Sequence, residues 1–182
     1  MMPEAEQIKL YDRTGNTSAA WILAGDSLQA AARILKAHRD RFDPTQLNVG
    51  DNVPDEGKAL FPELMLKGFA VECLLKALWL KRGNKLAVGG KYVGVKGAAD
   101  HDLLKLADTV GLHLNRKARD ILKRLSIIMT SGGRYPIPRD WSARRIQKLR
   151  GGGKGIPEFW QSPTDDQTLD GVVAALEQEL DA

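Results

Sequence analysis

The chain is poor in cysteine, poor in aromatic residues and without a long unbroken apolar run, and each scarcity removes a class of protein. A single cysteine, Cys73, among 182 residues excludes an internal disulfide and any cysteine-rich zinc site. It lies in an apolar helical stretch, where a free thiol is expected to be an inert core group. Aromatics make up 6% of the residues, and β-branched runs are rare, which argues against a β-sandwich or barrel. Glu72 and Lys76 interrupt the most apolar stretch, so no run of about 18 apolar residues exists and no membrane span is expected. The first twenty residues carry early acidic groups and no apolar signal core, from which a cytoplasmic chain is expected. His38, His101 and His113 form neither HxxxH nor HExxH, so no metal site is expected. GGKYVGVKG and GGGKG lack the Ser or Thr that follows Lys in a phosphate loop. No GxSxG motif occurs and no cofactor is expected.

What remains is an ordinary globular composition, 43% hydrophobic and 27% charged, with a length suited to one domain. The net charge of +4 hides an asymmetry. Residues 155–182 hold seven acidic residues and no Lys or Arg, while residues 1–154 hold 27 basic residues against 16 acidic ones. Such a split points to a polyanion-binding body or to an acidic tail docked on a basic surface. Solvated helix faces are the plainer alternative.

Apolar periodicity predicts an all-α, up-and-down-like bundle of four to six helices with a glycine-rich connection. Residues 1–16 read as a loose lead-in. Thr17 or Ser18 can cap a helix running to about Phe42, with Trp21, Ala24, Leu28, Ala31, Ala32 and Leu35 on one face. The segment FDPTQLNVGDNVPDEGK reads as an irregular acidic connection. From Leu60 to Leu80 the chain is apolar on nearly every side apart from Lys67, Glu72 and Lys76, as expected of a helix buried in a bundle or at an oligomer interface. Gly68 within it implies close approach of a neighbouring helix. Residues 83–99 are glycine-rich, and YVGV suits a short hairpin. A short helix is expected from Asp100–His101 to Gly111 and another from Asn115 to Ser131. GGRYPIPRDW reads as a rigid turn, and SARRIQKLRGGGKG as a short basic helix fraying into a loop over 151–161. Ser162–Pro163 supplies an N-cap and first-turn proline for a last acidic helix over 162–182.

Three segments together resemble the HEPN family of small helical bundles. They are A-x-E-x-x-L-K-A-L at Ala70–Leu78, H-D-L-x-x-L at His101–Leu106, and R-Y-P at Arg134–Pro136. The resemblance spans residues 64–138 and sets the bundle at 17–150. It implies a nucleotidyltransferase or antitoxin as partner and, together with the surplus apolar surface of residues 60–80, a homodimer; the lack of a long apolar run implies no membrane association. In the ribonuclease branch, catalysis is ascribed to Arg-x(4–6)-His near the start of a late helix. Here the spacing occurs as Arg33 and His38 in the first long helix, and the late helix has no such pair. The resemblance therefore implies a non-catalytic module that binds a nucleotide, RNA or a partner protein, linked to toxin–antitoxin or defence systems. The alternatives are a metal-independent ribonuclease using Arg33 and His38, with Arg steadying the phosphorane and His moving the proton, and a purely structural dimerisation protein.

The candidate ligand-binding residues are Lys67, Glu72, Lys76, His101, Asp102, Arg134 and Tyr135. Glu72 and Lys76, four apart, form a core ion pair or the floor of a polar pocket. Asp100 or His101 caps the third helix, or His101 faces a ligand with Asp102 beside it, and Tyr135 anchors a turn or stacks on a base. Arg116, Arg119, Lys123, Arg144, Arg145 and Lys148 are the candidates to track a phosphate backbone.

Overall fold

The computed structural model describes residues 2–43, 45, 51–132, 147–148, 154–155 and 164–182, those at 131–132, 147–148 and 154–155 by backbone alone. It is an all-α bundle whose axis is α4 (Leu60–Lys81). Twelve residues of α4 are buried, from Glu63 to Leu80, so the helix that is apolar all round is covered all round. Helix α2 (Ser18–Arg39) lies along it, and α5 (Leu103–Thr109), α6 (Arg116–Ile127) and α7 (Asp165–Asp181) close the other sides. Leu74, Leu75, Leu78, Leu103, Leu106, Leu122, Leu125 and Leu176 are all 1% exposed or less. Each contributes about 1.5–3 kcal/mol of transfer energy on burial. Among the described residues no helix is long and apolar enough to cross a membrane.

Small residues set the α2–α4 distance. Gly25 and Ala32 are the buried positions of α2. A Cβ at Gly25 would stand 3.3 Å from the Ala70 carbonyl oxygen and 3.4 Å from Cys73 Cβ. The close approach expected at Gly68 is made by a π-helical turn (Ile128–Gly132) that continues α6. A Cβ there would come within 2.5 Å of Met129 Sδ.

The expected lead-in at 1–16 is instead a helix, α1 (Glu4–Gly15). No α1 residue is fully buried, and polar contacts tie the helix down. Asp12 accepts the N–H groups of Gly89 and Gly90 at 2.7 and 2.9 Å. Asn16 accepts those of Leu86 and Ala87 at 2.7 and 3.0 Å and donates to the Ala87 carbonyl at 2.7 Å. These groups belong to a hairpin, β1 (Ala87–Val88) and β2 (Lys91–Tyr92), paired antiparallel with Ala87 opposite Tyr92. Its loop, Gly89–Gly90, has φ of +62° and +76°, the left-handed pair that a two-residue type I′ turn requires.

Other boundaries shift too. Helix α2 ends at Arg39 rather than near Phe42, and a single helical turn, α3 (Asp55–Lys58), precedes α4. The cap of α5 is Asp102, which accepts from Lys105 N at 3.0 Å, not Asp100 or His101. The basic helix expected around 142–150 is extended where it is described: β3 (Gln147–Lys148) pairs with β4 (Lys154–Gly155). The glycines at 151–153 disfavour helix there. Thr164, not Ser162, occupies the N-cap of α7, and Ser162–Pro163 lie outside the described residues, as does the expected turn at 132–141 beyond Gly132.

The acidic helix α7 docks on basic side chains. Asp165 pairs with Arg124 at 2.7 Å, Asp166 with Lys67 at 2.6 Å, and Glu179 with Arg82 at 3.2 Å. Lys81 donates to the Leu180 carbonyl. Leu169, Val172 and Leu176 sit beneath these pairs in the core.

Candidate functional site

The polar residues of α4 fall into two groups, because five residues separate Lys67 from Glu72 and turn the helix by about 140°. Glu63, fully buried, and Lys67 form the first group. Lys67 Nζ lies 2.6 Å from Glu63 Oε1, and Arg39 Nη1 lies 3.1 Å from Oε2. Both contacts are close but poorly angled for hydrogen bonding. Asp166 closes the group from above, 2.6 Å from Lys67 and 3.5 Å from Lys36. Burial pushes the Asp166 carboxyl up, but the Lys67 hydrogen bond and the charges of Lys67, Lys36 and Arg39 outweigh it and hold it below the usual range. Lys67 thus clamps α7 to α4 and does not join the expected ligand set.

Glu72 and Lys76 form the second group, 4% and 5% exposed. Lys76 Nζ is 2.5 Å from Glu72 Oε1 and 3.0 Å from Asp100 Oδ1. It also stands 5.2 Å from the ring centres of Trp21 on α2 and Tyr92 on β2. Burial lowers the pKa of this ammonium, but the two carboxylates and the Tyr92 hydroxyl, Glu72 first among them, outweigh it and raise the pKa above that of an ordinary lysine. The Tyr92 hydroxyl donates to Asp100 Oδ1 at 2.8 Å. Its own pKa is pushed up to about 12, chiefly by burial, with Lys76 opposing and Asp100 reinforcing. Burial also pushes Asp100 upward, but hydrogen bonds from Lys76 and Tyr92 prevail and leave it below the usual carboxylate range. Lys76 therefore fastens α2, the hairpin and the approach to α5 onto α4.

The other oxygen of Glu72 opens this group toward solvent. Oε2 lies 2.7 Å from His101 Nδ1. His101 has φ of +69°, a left-handed conformation that a non-glycine residue rarely adopts. Its ring meets Phe69 edge-on at 5.4 Å. A carboxylate held by Lys76 is an acceptor, so the network assigns the imidazole proton to Nδ1 and leaves Nε2 without a partner among the described residues. The ring, 31% exposed, borders an open cleft of about 410 Å³. Asp100, Asp102, Leu104, Lys123, Ser126, Ile127 and Thr130 complete its wall. Thr130 and Ser126 hydroxyls donate back into their own helix, to the Ser126 and Leu122 carbonyls. The polar groups left facing a ligand are thus His101 Nε2, the Lys123 ammonium and the outer carboxylate oxygens of Asp100 and Asp102, beside an apolar wall.

Of the sequence candidates, Glu72, Lys76, His101 and Asp102 meet around this cleft. Lys123 joins them from α6, where Arg116 is exposed two turns earlier on the same face. Arg119 is engaged bidentately by Asp108 at 2.6 and 3.1 Å. Arg33 is exposed and His38 half-buried on α2, about 140° apart around the helix. Arg134, Tyr135, Arg144 and Arg145 lie outside the described residues, and Lys148 is described by its backbone alone. Sequence reasoning missed Trp21, Phe69, Tyr92 and Asp100. The available signals were a lone tyrosine in a glycine-rich connection and an acidic residue beside His101. Among the described residues, no cluster of three His, Cys, Asp or Glu side chains could hold a metal. No family model, curated protein or solved structure matches the chain.

Proposed function

We propose that the chain is a HEPN-like, non-catalytic binding module that takes a phosphate group of a nucleotide or RNA in the cleft between His101 and Lys123. The observation carrying this reading is the buried Glu72 carboxylate, which engages His101 Nδ1 and turns the other ring nitrogen toward the cleft that Lys123 also lines. The Lys123 ammonium suits an oxyanion, the fixed imidazole accepts at Nε2 from a hydroxyl or amino group of the same ligand, and the apolar side formed by Leu104 and Ile127 suits the flat face of a base. Asp100 and Asp102 temper the negative charge they bring by accepting from Lys76, Tyr92 and the α5 backbone. Arg116 extends the basic track away from the cleft along α6. In this reading the acidic α7 occupies other cations, Lys67, Arg82 and Arg124, and leaves Lys123 exposed. A nucleotidyltransferase or antitoxin partner follows from the family resemblance. A ribonuclease centred on Arg33 and His38 has less support, since the two side chains diverge around one helix.

The test is fluorescence anisotropy with a labelled single-stranded RNA and with a labelled nucleotide, at about 50 and about 200 mM salt. The wild-type chain binds, more weakly at the higher salt, and His101→Ala and Lys123→Glu each weaken binding at least tenfold without loss of helix content. Wild-type affinity in both variants would remove the cleft from the reading, and no binding of either probe by the wild type would end it.

A further inference from the structure

The walls of the His101 cleft offer a ligand far more acceptors than donors. His101 Nδ1 spends its proton on Glu72, the Ser126 hydroxyl donates to the Leu122 carbonyl, and the Thr130 hydroxyl donates to the Ser126 carbonyl. Lys123 keeps its donors, with no partner among the described residues. On the other side of the balance stand His101 Nε2 and the carboxylates of Asp100 and Asp102. The two carboxylates are not alike. Asp100 Oδ1 takes both Lys76, at 3.0 Å, and the Tyr92 hydroxyl, at 2.8 Å, so its charge is already answered. Asp102 accepts one neutral N–H, that of Lys105, on Oδ1 at 3.0 Å, and has no ion-pair partner among the described residues. Its capping of α5 fixes where the carboxylate stands and uses one of its lone pairs. Oδ2 and the second lone pair of Oδ1 remain, side by side, for two donors.

Resting on the nucleotide reading above, we propose that Asp102 reads the base and that the cleft selects guanine. A carboxylate in its two-pronged mode matches two donors on neighbouring atoms. Among the four RNA bases guanine alone presents them, as N1–H and the N2 amino group on its Watson–Crick edge. Adenine sets a ring acceptor, N1, beside its amino group, and cytosine sets N3 beside its own. Each makes one bond with Asp102 and turns a lone pair against the other oxygen. Uracil offers one N–H between two carbonyls and meets the carboxylate worst. His101 Nε2 then accepts from a ribose hydroxyl or from the remaining amino hydrogen, and Lys123 meets the phosphate. Leu104 and Ile127 lie against the ring. A capping role by itself accounts for Oδ1 of Asp102 and leaves Oδ2, which faces the cleft, without a partner. A two-bond contact of this kind discriminates between bases by roughly tenfold or more.

Competition against the labelled nucleotide and the labelled RNA, with the full chain at about 50 mM salt, checks it. The competitors are GMP, IMP, AMP, CMP and UMP, with oligouridines carrying a single G or a single inosine to serve a site that needs RNA. GMP should bind about tenfold more tightly than AMP, CMP or UMP. IMP, which keeps N1–H and lacks the amino group, should lose most of that gain. The decisive variant is Asp102→Asn. Asparagine caps a helix as well as aspartate does, so α5 keeps its start, but the side chain now presents one acceptor and one donor. Its preference should pass from guanine to adenine or cytosine, whose edges pair an amino group with a ring nitrogen. The quantity read is the ratio between bases, because loss of the Asp102 charge favours every phosphate alike. Asp100→Asn should leave that ratio near its wild-type value. Equal affinity for all five nucleotides, with His101→Ala and Lys123→Glu still weakening each, would overturn the choice of base and leave the cleft reading standing. A guanine preference that survives Asp102→Asn, or that Asp100→Asn abolishes, would overturn the role of Asp102. No binding of any probe or competitor would end both readings.

Discussion

Helix α4 contains the same short pattern twice, a glutamate followed four residues later by a lysine, and the two copies have different fates. Glu63 and Glu72 are both buried, and their lysines lie 2.6 and 2.5 Å away. Around Glu63 the second contact is Arg39, and the pair is sealed by Asp166 at the start of α7. Around Glu72 the second contact is a half-exposed imidazole at the edge of a cleft. A buried carboxylate between two permanent cations is a clasp. A buried carboxylate between a permanent cation and a histidine presents a nitrogen that can accept or donate. The difference lies in what reaches the helix from elsewhere in the chain, not in the helix itself.

The largest test of this contrast removes each lysine in turn. Lys76→Met leaves Glu72 and Asp100 without their shared cation and should cost about 3–5 kcal/mol in chemical denaturation. Lys67→Met leaves Glu63 with Arg39 and leaves Asp166, partly solvated, with Lys36 nearby, so it should cost about 1–2 kcal/mol. Equal losses would mean that the two groups do the same structural job. Gly68 lies between the pairs. Gly68→Ala gains helix propensity but drives a methyl into Met129, which is itself buried, and the net loss should be about 1 kcal/mol by the same assay. A stabilised variant would show that the π-helical turn yields.

A smaller effect separates the groups by pH. The folded pKa of Tyr92, pushed up to about 12, exceeds its ordinary value of 10. Protonated Tyr92 is thus the form that folding favours. Its contribution is complete below pH 10 and is lost as pH rises toward about 12. Stability measured across that window should fall less in Tyr92→Phe than in the wild type, and the late component of the tyrosinate absorbance should disappear. An unchanged absorbance titration would show that Tyr92 does not cover Lys76. Asp166 in the other group runs the opposite way. Its lowered pKa adds stability that is present above the ordinary carboxylate range and lost as pH falls through the folded value.

The bundle was legible because its helices announce themselves locally. The recurring apolar positions of α2, the all-round apolarity of α4 and the Asn115 cap of α6 are all short-range signals. Helix α1 was not legible, although Pro3 with Glu4 and Glu6 marks a helix start, because its anchors on Leu86, Ala87, Gly89 and Gly90 lie 70 to 78 residues away. The site was half legible. Glu72 and Lys76 stand out as charges in apolar surroundings and His101 as a histidine between two aspartates, whereas Trp21, Tyr92 and Lys123 become neighbours only when α2, the hairpin and α6 meet α4. Lys67 and Glu72 are near along the chain, and the helical turn between them parts the two.

The central claim is that Glu72 holds His101 so that its outer nitrogen accepts a hydrogen bond from a bound nucleotide. Nitrogen-15 NMR of the imidazole, with and without a bound nucleotide, tests it most directly. The expected spectrum shows the proton on Nδ1 in the free chain, and on titration a shift at Nε2 while the Nδ1 proton remains. The same tautomer lost in Glu72→Ala would complete the result. A ring that carries its proton on Nε2 in the free chain, or that ignores a nucleotide which binds, would contradict the account.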